Sequence, residues 1–340
     1  MKKLQNTLYI TRDGAYLHKE NETIVVDVRE NDRKVTLLKI PVHAVSNVFC
    51  FGNILVSPQL LGFCGEKGIQ LSFFNQFGKF QARVVGCQTG NILLRQSQYD
   101  YVMSNDLMAA KNIVAAKIRS SRNLLMRFLR TYEDDLEVKN VSAKMLHNLR
   151  MLQDARSKEE LLGIEGEAAR NYFSVFNLLI RNKDFSFDAR TRRPPKDPVN
   201  SLLSFLYSIF AKEISGALQG VGLDPQMGVF HMPRPGRDSL ALDLLEEFRS
   251  PIIDRFVLSI INRGQISLKD FESDVLDGVY LKNDARRSLL QLWQAKKQEE
   301  IIHPFLKEKI NIGLLPHVQS MLLARFLRKD IDNYPPFVSK

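Results

Sequence analysis

Histidine and acidic side chains are concentrated in one stretch of the chain, residues 228–251. His231 lies just before a turn rich in proline and glycine, and Asp243 and Glu246 lie on a helix predicted to begin at Ser239. Positions three apart share one side of a helix, so both carboxylates are neighbours there. An imidazole and hard carboxylate oxygens are ligands that suit a divalent metal ion. The stretch alone leaves open the alternative that His231 only forms surface hydrogen bonds.

A further acid, Glu165, lies in an unusual place, between two glycines of a predicted helix. The helix begins at Ser157, which forms a capping box with Glu160, and its interior contains Gly163 and Gly166. Glycine inside a helix costs about 1 kcal/mol relative to alanine. The pair therefore predicts close approach of another backbone, as at a helix crossing, or room for a ligand beside Glu165.

The composition is that of a basic globular protein. The chain has 340 residues, of which 44% are hydrophobic and 25% charged, and this length favours two domains. A net charge of +10 favours a polyanionic partner, above all nucleic acid. Neither a bilayer-spanning run nor a secretory signal is recognisable. The three cysteines lack CxxC spacing, which favours a reducing cytoplasm over a disulfide framework or a zinc site: Cys50, Cys64 and Cys87.

The spacing of apolar residues changes near residue 95 and predicts an α+β fold. Residues 1–95 contain short apolar and β-branched runs between turn signals, which predict a small antiparallel β domain, a packing or dimerisation platform. Residues 96–340 show apolar residues recurring at three and four, which predicts a larger all-α domain for catalysis and DNA binding. The predicted helices cover residues 58–68, 103–132, 143–155, 157–176, 198–218, 239–248, 252–261, 284–298 and 304–328.

A basic, proline-rich loop is predicted between residues 181 and 200. A loop of this composition is either disordered or binds phosphates. Phe185 and Phe187 add aromatic side chains of the kind that stack on unpaired bases. The candidate DNA-binding cations of the loop are Arg190, Arg192, Arg193 and Lys196.

Four segments carry motifs that are specific in combination. They read LLGIEGEAARNY (161–172), RPPKDPVNSLLSFLY (193–207), GVFH (228–231) and LALDLLEEFRSP (240–251). In this order they resemble the CRISPR-associated endonuclease and integrase family that captures new spacers, the larger of the two universal adaptation proteins. The N-terminal half is similar to the β domain of that family, so the resemblance covers nearly the whole chain. The amino-acid sequences of these motifs resemble those of the type I-C branch.

The resemblance implies a metal-dependent active site. The matching positions are Glu165, His231 and Glu246 as metal ligands, Asp243 as a supporting acid, and Asn200 and Tyr207 as further active-site residues. Two carboxylates and one imidazole leave metal positions open for water and phosphate oxygens. Such a set suits Mg²⁺ or Mn²⁺.

The resemblance also implies an activity and an assembly. The 3′-OH of a spacer precursor would attack a phosphodiester at the edge of the repeat, and both partners in this reaction are double-stranded DNA. Two homodimers, each formed through the β domain, would flank a dimer of a small ferredoxin-like partner in a heterohexamer, with the involvement of a helper exonuclease left open. The residues themselves leave two other classes open: a stand-alone DNA repair nuclease and a non-enzymatic DNA-binding scaffold.

Overall fold

A computed structural model describes the chain over residues 6–30, 33–84, 86, 91–132, 135–274 and 277–339. Strands dominate the N-terminal part and helices the remainder, so the predicted α+β fold class is confirmed. None of the helices in these ranges combines the length and the apolar character needed to cross a bilayer. Val85, predicted to end a strand, and Cys87 lie outside the described residues.

The N-terminal strands form two four-stranded sheets, with the strand orders β1-β5-β7-β8 and β4-β3-β2-β6. The strands β2 and β3, β3 and β4, and β7 and β8 pair antiparallel as predicted, but β1 and β5, β5 and β7, and β2 and β6 pair in parallel. The sheets are mixed because a helix connects β5 to β7, as a parallel crossover requires. The strands are β1 (Asn6–Ile10), β2 (Tyr16–Glu20), β3 (Thr23–Glu30), β4 (Arg33–Pro41), β5 (Val45–Phe51), β6 (Leu55–Val56), β7 (Gln70–Phe74) and β8 (Phe80–Val84).

Helices make up most of the chain after residue 90. The crossover helix α1 (Pro58–Lys67) precedes them. The later helices are α2 (Ile92–Met103), α3 (Met108–Leu129), α4 (Leu136–Asp154), α5 (Lys158–Ser174), α6 (Pro198–Val221), α7 (Ser239–Phe248), α8 (Arg255–Asn262), α9 (Asn283–Gln298) and α10 (Leu315–Leu327). Two short ladders are formed by β9 (Phe271–Ser273) with β10 (Val279–Leu281) and by β11 (Glu300–Ile302) with β12 (Lys309–Asn311).

The chain divides into two compact units that do not follow one simple boundary. The first unit comprises residues 1–89, 281–299 and 311–313, and the second comprises the rest. Helix α9 joins the strands because Gln294 Nε2 donates to Asn6 Oδ1 at 2.8 Å and Lys297 Nζ to Thr7 Oγ1 at 3.0 Å. The sequence predicts this helix in the domain 96–340. That prediction is wrong because the residues that the helix contacts lie almost the whole chain away and leave no local signal.

The predicted helix over residues 103–132 is interrupted. Asn105 adopts a φ of 56°, and Asp106 Oδ1 accepts the Met108 N–H at 2.7 Å, which starts a new helix. The predicted helix over residues 304–328 is wrong in its first part. Lys307 adopts a φ of 60° and turns the chain back, so that β12 pairs with β11 before α10 begins.

Helix α3 lies at the centre of the second unit and packs against α4, α5 and α7. Helix α7 continues directly into a π-helical segment, Arg249–Asp254, whose wider turn changes which side chains face inward. Ser250 of this segment shares a 2.6 Å hydrogen bond with Ser121 of α3. This contact brings the side chains of the π-helical segment next to those of α3.

The C-terminal segment is fastened to α7 by the buried carboxylate of Glu247. Its Oε1 accepts from the Tyr334 hydroxyl at 2.5 Å, and its Oε2 accepts from Gln319 Nε2 at 2.8 Å and from the Phe337 N–H at 2.7 Å. Burial raises the pKa of Glu247 to about 8. A buried acid with three donors fixes the back of α7, the helix that presents Glu246.

Replacement of this carboxylate will destabilise the second unit. We expect Glu247→Leu to lower its free energy of unfolding by about 3 kcal/mol, because buried donors lose their acceptor. Glu247→Gln keeps the shape and one acceptor and should lose clearly less. Urea unfolding followed by far-UV circular dichroism reports the helices, while fluorescence of Trp293, the single tryptophan, reports the first unit. Equal shifts of both signals in Glu247→Leu would contradict this assignment.

Candidate active site

Helix α3 places Lys117 between two acids that belong to different helices. Its Nζ contacts the carboxylate of Glu165 on α5 and lies 2.6 Å from Oε2 of Glu246 on α7. The side chains of Lys117, Glu165 and Glu246 are 12%, 17% and 4% exposed, so little water screens their charges. One cation therefore joins the two carboxylates that the sequence predicts as metal ligands.

Glu246 is the more deeply buried of these acids, and cations keep it ionised. Arg249 Nε lies 3.0 Å from Glu246 Oε2. Burial acts to raise the pKa of Glu246, but the charges of Arg249 and Lys117 lower it to about 2. Within the described part of the chain, Oε2 has no hydrogen bond of good geometry. This oxygen is stabilised by neighbouring charge and not by aligned donors.

His231 is held in one orientation by Asp243. The His231 Nδ1 lies 2.6 Å from Asp243 Oδ1, and the backbone N–H groups of Phe230 and His231 donate to the same carboxylate at 2.9 Å. Because a carboxylate only accepts, Nδ1 carries the proton and Nε2 presents its lone pair to another partner. The structure thus places Asp243 behind the histidine.

Gly228 makes this arrangement possible. A Cβ atom at this position would lie 2.5 Å from the carbonyl oxygen of His231 and 3.0 Å from Asp243 Oδ2. The glycines beside Glu165 differ, since a Cβ at Gly163 would meet no described atom within 4 Å and one at Gly166 only a side chain. A helix crossing does not explain them, and room for a ligand beside Glu165 stays a prediction.

Asn200 is fully buried and anchors the basic loop to the start of α6. Its Oδ1 accepts from Arg190 Nη1 at 2.7 Å and from the Thr191 N–H at 3.0 Å. Its Nδ2 donates to the Ala189 carbonyl oxygen at 2.7 Å and to Asp197 Oδ2 at 2.5 Å. With these contacts the amide of Asn200 positions the basic loop.

The cations predicted to bind DNA fall into two groups. The Arg190 guanidinium is turned inward, where it donates to Ser204 Oγ at 3.0 Å and lies 5.5 Å from the ring of Tyr207. Burial lowers the pKa of Arg190 to about 10. The exposed group consists of Arg192, Arg193 and Lys196.

Tyr207 is buried beside Asp254. The Tyr207 hydroxyl donates to Asp254 Oδ1, and the Tyr172 hydroxyl donates to Oδ2 at 2.9 Å. Burial raises the pKa of both tyrosines well above the usual value and also raises that of Asp254. The Arg249 guanidinium lies 4.5 Å from the Tyr207 ring. Tyr207 therefore orients Arg249, which in turn reaches Glu246.

An open cleft is bordered by Tyr172, Tyr207, Arg249 and Asp254. Lys117, Arg192 and Arg249 line it, and such a concentration of cations attracts phosphate groups. Phe185 and Phe187 are both buried, and Phe187 packs against other aromatic rings of the core. The predicted stacking of these two rings on bases is therefore wrong.

The types of donor around Lys117 fit a divalent metal ion. Two acids already share one cation, Glu246 Oε2 is buried without an aligned donor, and His231 presents the lone pair of Nε2. In the part of the chain that the structure describes, no three His, Cys, Asp or Glu side chains lie close enough to hold an ion together. Convergence of Glu165, His231 and Glu246 on one metal stays a prediction.

Lys117 and Arg249 were missed as site residues, although the sequence holds a signal for Lys117. It follows Ile113 and precedes Ser121 by one helical turn each, so it lies within the buried face of α3. A lysine on an apolar face needs an acidic partner. Arg249 lies at the end of the LALDLLEEFRSP segment, but only the π-helical turn determines its direction.

Comparison with curated proteins supports the resemblance. The sequence profile of the family described as CRISPR associated protein Cas1 matches residues 8–295. CRISPR-associated endonuclease Cas1 1 of Chlorobaculum tepidum is 48% identical over 345 residues, which cover 99% of each chain. A CRISPR-associated exonuclease Cas4/endonuclease Cas1 fusion of Geobacter sulfurreducens is 35% identical, over 98% of this chain and 60% of the fusion.

Solved structures share the fold. A CAS1 protein from Thermotoga maritima matches 99% of this chain and 100% of its own, with a TM-score of 0.82 and 23% identity. A casposase bound to its integration product matches 97% of this chain and 93% of its own (TM-score 0.83, 22% identity). A Cas6-RT-Cas1–Cas2 complex matches 98% of this chain and 36% of its own (TM-score 0.80, 24% identity). With a family profile that matches most of its length and close relatives over all of it, the chain belongs to the CRISPR-associated Cas1 family.

Proposed function

We propose that this protein is a metal-dependent DNA endonuclease and integrase that inserts new spacers into a CRISPR array. The observation that carries the proposal is the meeting of Glu165 and Glu246 on one cation, beside a cleft lined by further cations. The name of the Chlorobaculum tepidum relative supports endonuclease activity, and that of the casposase structure supports integration.

Glu165, Glu246 and the Nε2 of His231 would hold Mg²⁺ or Mn²⁺. A bound ion of this kind polarises a phosphodiester and stabilises charge on a leaving oxygen. Asp243 keeps the His231 ring in the tautomer that presents Nε2. Arg249, oriented by Tyr207, lies beside the acids, where it would contact a phosphate oxygen.

Two reactions use such a site. In integration, the 3′-OH of the precursor forms a bond to the phosphorus of the target while the bond to the target's own 3′ oxygen breaks. In hydrolysis, water replaces the 3′-OH as the nucleophile, and the strand is nicked. The same residues would orient the phosphate in both cases, which is why endonuclease and integrase activities belong together.

A stand-alone DNA repair nuclease would share the site but would lack strand transfer. An assay that joins a 3′-OH duplex to a plasmid carrying leader and repeat separates the two functions. A non-enzymatic scaffold would show neither product in Mn²⁺. Strand transfer also breaks a phosphodiester of the target. The joined product and the hydrolytic nick are therefore measured separately in the same reaction.

The assembly that we propose is a homodimer built through the N-terminal sheets, with two such dimers flanking a dimer of a small ferredoxin-like partner. Strand β4 lies at the edge of its sheet and exposes Val35, Leu37 and Leu38. An apolar edge strand is a surface that pairs with another chain. The names of the Cas1–Cas2 complex and the Cas4 fusion support a second protein and an exonuclease as partners.

Loss of either of two ligands will abolish catalysis and spare DNA affinity. We expect Glu165→Ala and His231→Ala to give no integration or nicking in Mn²⁺, because too few ligands remain to hold a labile ion. DNA affinity, measured by anisotropy, should stay within about threefold of wild type because Lys and Arg contacts dominate it. Glu167→Ala, an exposed acid on the same helix, serves as the matched control. Wild-type product from either ligand variant would refute the site.

The exposed cations of the loop will set the salt dependence of DNA binding. Reversal of both charges in Arg192→Glu/Arg193→Glu should weaken binding and reduce the slope of log K against log salt by about 2. The double lysine variant keeps both charges and should keep the slope. An unchanged slope in the glutamate variant would return these residues to an ordinary solvated surface.

The edge strand predicts a dimer that one charge will break. Light scattering of the wild type at micromolar concentration should report twice the mass of 39.0 kDa. Leu37→Glu places a charge on the exposed apolar edge and should give a monomer with unchanged circular dichroism. A wild-type monomer would count against the proposed assembly, and a dimeric Leu37→Glu would move the interface elsewhere.

A further inference from the structure

We propose that Lys117 is a built-in counter-ion of the active site, which holds Glu165 and Glu246 together until a divalent metal ion displaces it. The inference rests on the metal dependence proposed above and assigns to Lys117 a role that the ligand set alone does not contain. The ammonium contacts both acidic ligands at once, which is the position a bridging cation takes.

The local charges require such a displacement. Glu165 and Glu246 carry two negative charges, and Lys117 and Arg249 compensate them with two positive charges. A divalent ion added to this balanced group would leave an excess of two positive charges in a poorly hydrated place, which is unfavourable. Departure of the Lys117 ammonium restores much of the balance and frees carboxylate oxygens.

The contact of Lys117 with Glu246 is that of an exchangeable cation, whereas its contact with Glu165 is a hydrogen bond. Glu246 Oε2 faces both Lys117 Nζ and Arg249 Nε, yet in the described chain it has no hydrogen bond of good geometry. A permanent buried ion pair is stabilised by aligned donors on its remaining lone pairs. Lys117 is also anchored on a long, well-packed helix, so its flexible side chain can move while its backbone stays.

The side chain has a place to go. Lys117 lines the same cleft as Arg192 and Arg249, so a displaced ammonium stays among the groups that face the DNA phosphates. Loading of the metal would then raise the positive charge of the cleft. Lys117 is in this sense a positioning residue that couples metal binding to phosphate binding.

Lysine labelling measures the displacement directly. Reductive methylation of the full chain without DNA, read by mass spectrometry, should modify Lys117 slowly because its ammonium is buried and paired. Saturating Mn²⁺ should accelerate this modification severalfold. Lys144, exposed on α4, serves as the internal control and should react at one rate in both conditions. Equal protection of Lys117 with and without Mn²⁺ overturns the proposal.

Substitution tests the competition between the two cations. Lys117→Met removes the competing charge, and we expect Mn²⁺ to bind about tenfold more tightly by calorimetry without DNA. The apo protein should melt at a lower temperature and gain more from Mn²⁺ than the wild type. Lys117→Gln keeps a donor for both acids and serves as the second variant in case Lys117→Met does not fold. We expect the same gain in Mn²⁺ affinity from it. Arg119→Met removes an exposed charge from the same helix and should change neither quantity.

The outcomes separate this inference from the proposed function. Wild-type protein that binds Mn²⁺ and integrates DNA, together with Lys117 variants of unchanged or weaker Mn²⁺ affinity, overturns the counter-ion role alone. Wild-type protein that neither binds Mn²⁺ nor cuts DNA in its presence overturns the proposed function as well. Tighter binding in Lys117→Gln together with faster labelling in the wild type establishes the exchange.

Discussion

Burial of negative charge among helices is the constraint on which the second unit depends. The carboxylate of Glu246 is almost removed from water, and an isolated ion in such a place is strongly unfavourable. Lys117 and Arg249 compensate the charge, and a separate set of contacts holds each of these two cations in place. Helix α3 is held by its apolar face, whereas Arg249 is held by the ring of Tyr207. Removal of either support would leave the Glu246 carboxylate with one of its two cations.

A single continuous segment, α7 with the π-helical turn after it, presents four buried acids in different directions. Asp243 accepts from the histidine loop, Glu246 meets the cations, Glu247 fastens the C-terminal segment, and Asp254 accepts from two tyrosines. Each acid has its own hydrogen-bond or charge partners, so the four carboxyl groups are kept apart. The segment is thereby fixed on several sides, and Glu246 faces the cations Lys117 and Arg249.

Much of the fold could be predicted because its signals are local. Apolar runs between turns identify most strands of the first unit, and Ser57 and Ser157 accept the hydrogen bonds expected of helix caps. The prediction fails where distant residues decide. Helix α9 joins the first unit through partners near the N-terminus, and Phe187 belongs to a core cluster with aromatic side chains from the preceding helices. Neither contact can be recognised from the spacing of apolar residues nearby in the sequence.

The sequence by itself determined which reactive side chains are present. They are a histidine beside a turn rich in proline and glycine, two acids on one helix and a third acid between glycines, in a basic chain. The resemblance to the family, and not spacing or composition, groups Glu165, His231 and Glu246 at one metal, and that grouping stays a prediction. Only the tertiary structure decided that Asp243 lies behind the histidine, that Arg190 turns inward and that Lys117 stands between the acids. The reason is physical, since a helical period shows which face is buried but not which charge of another helix meets it there.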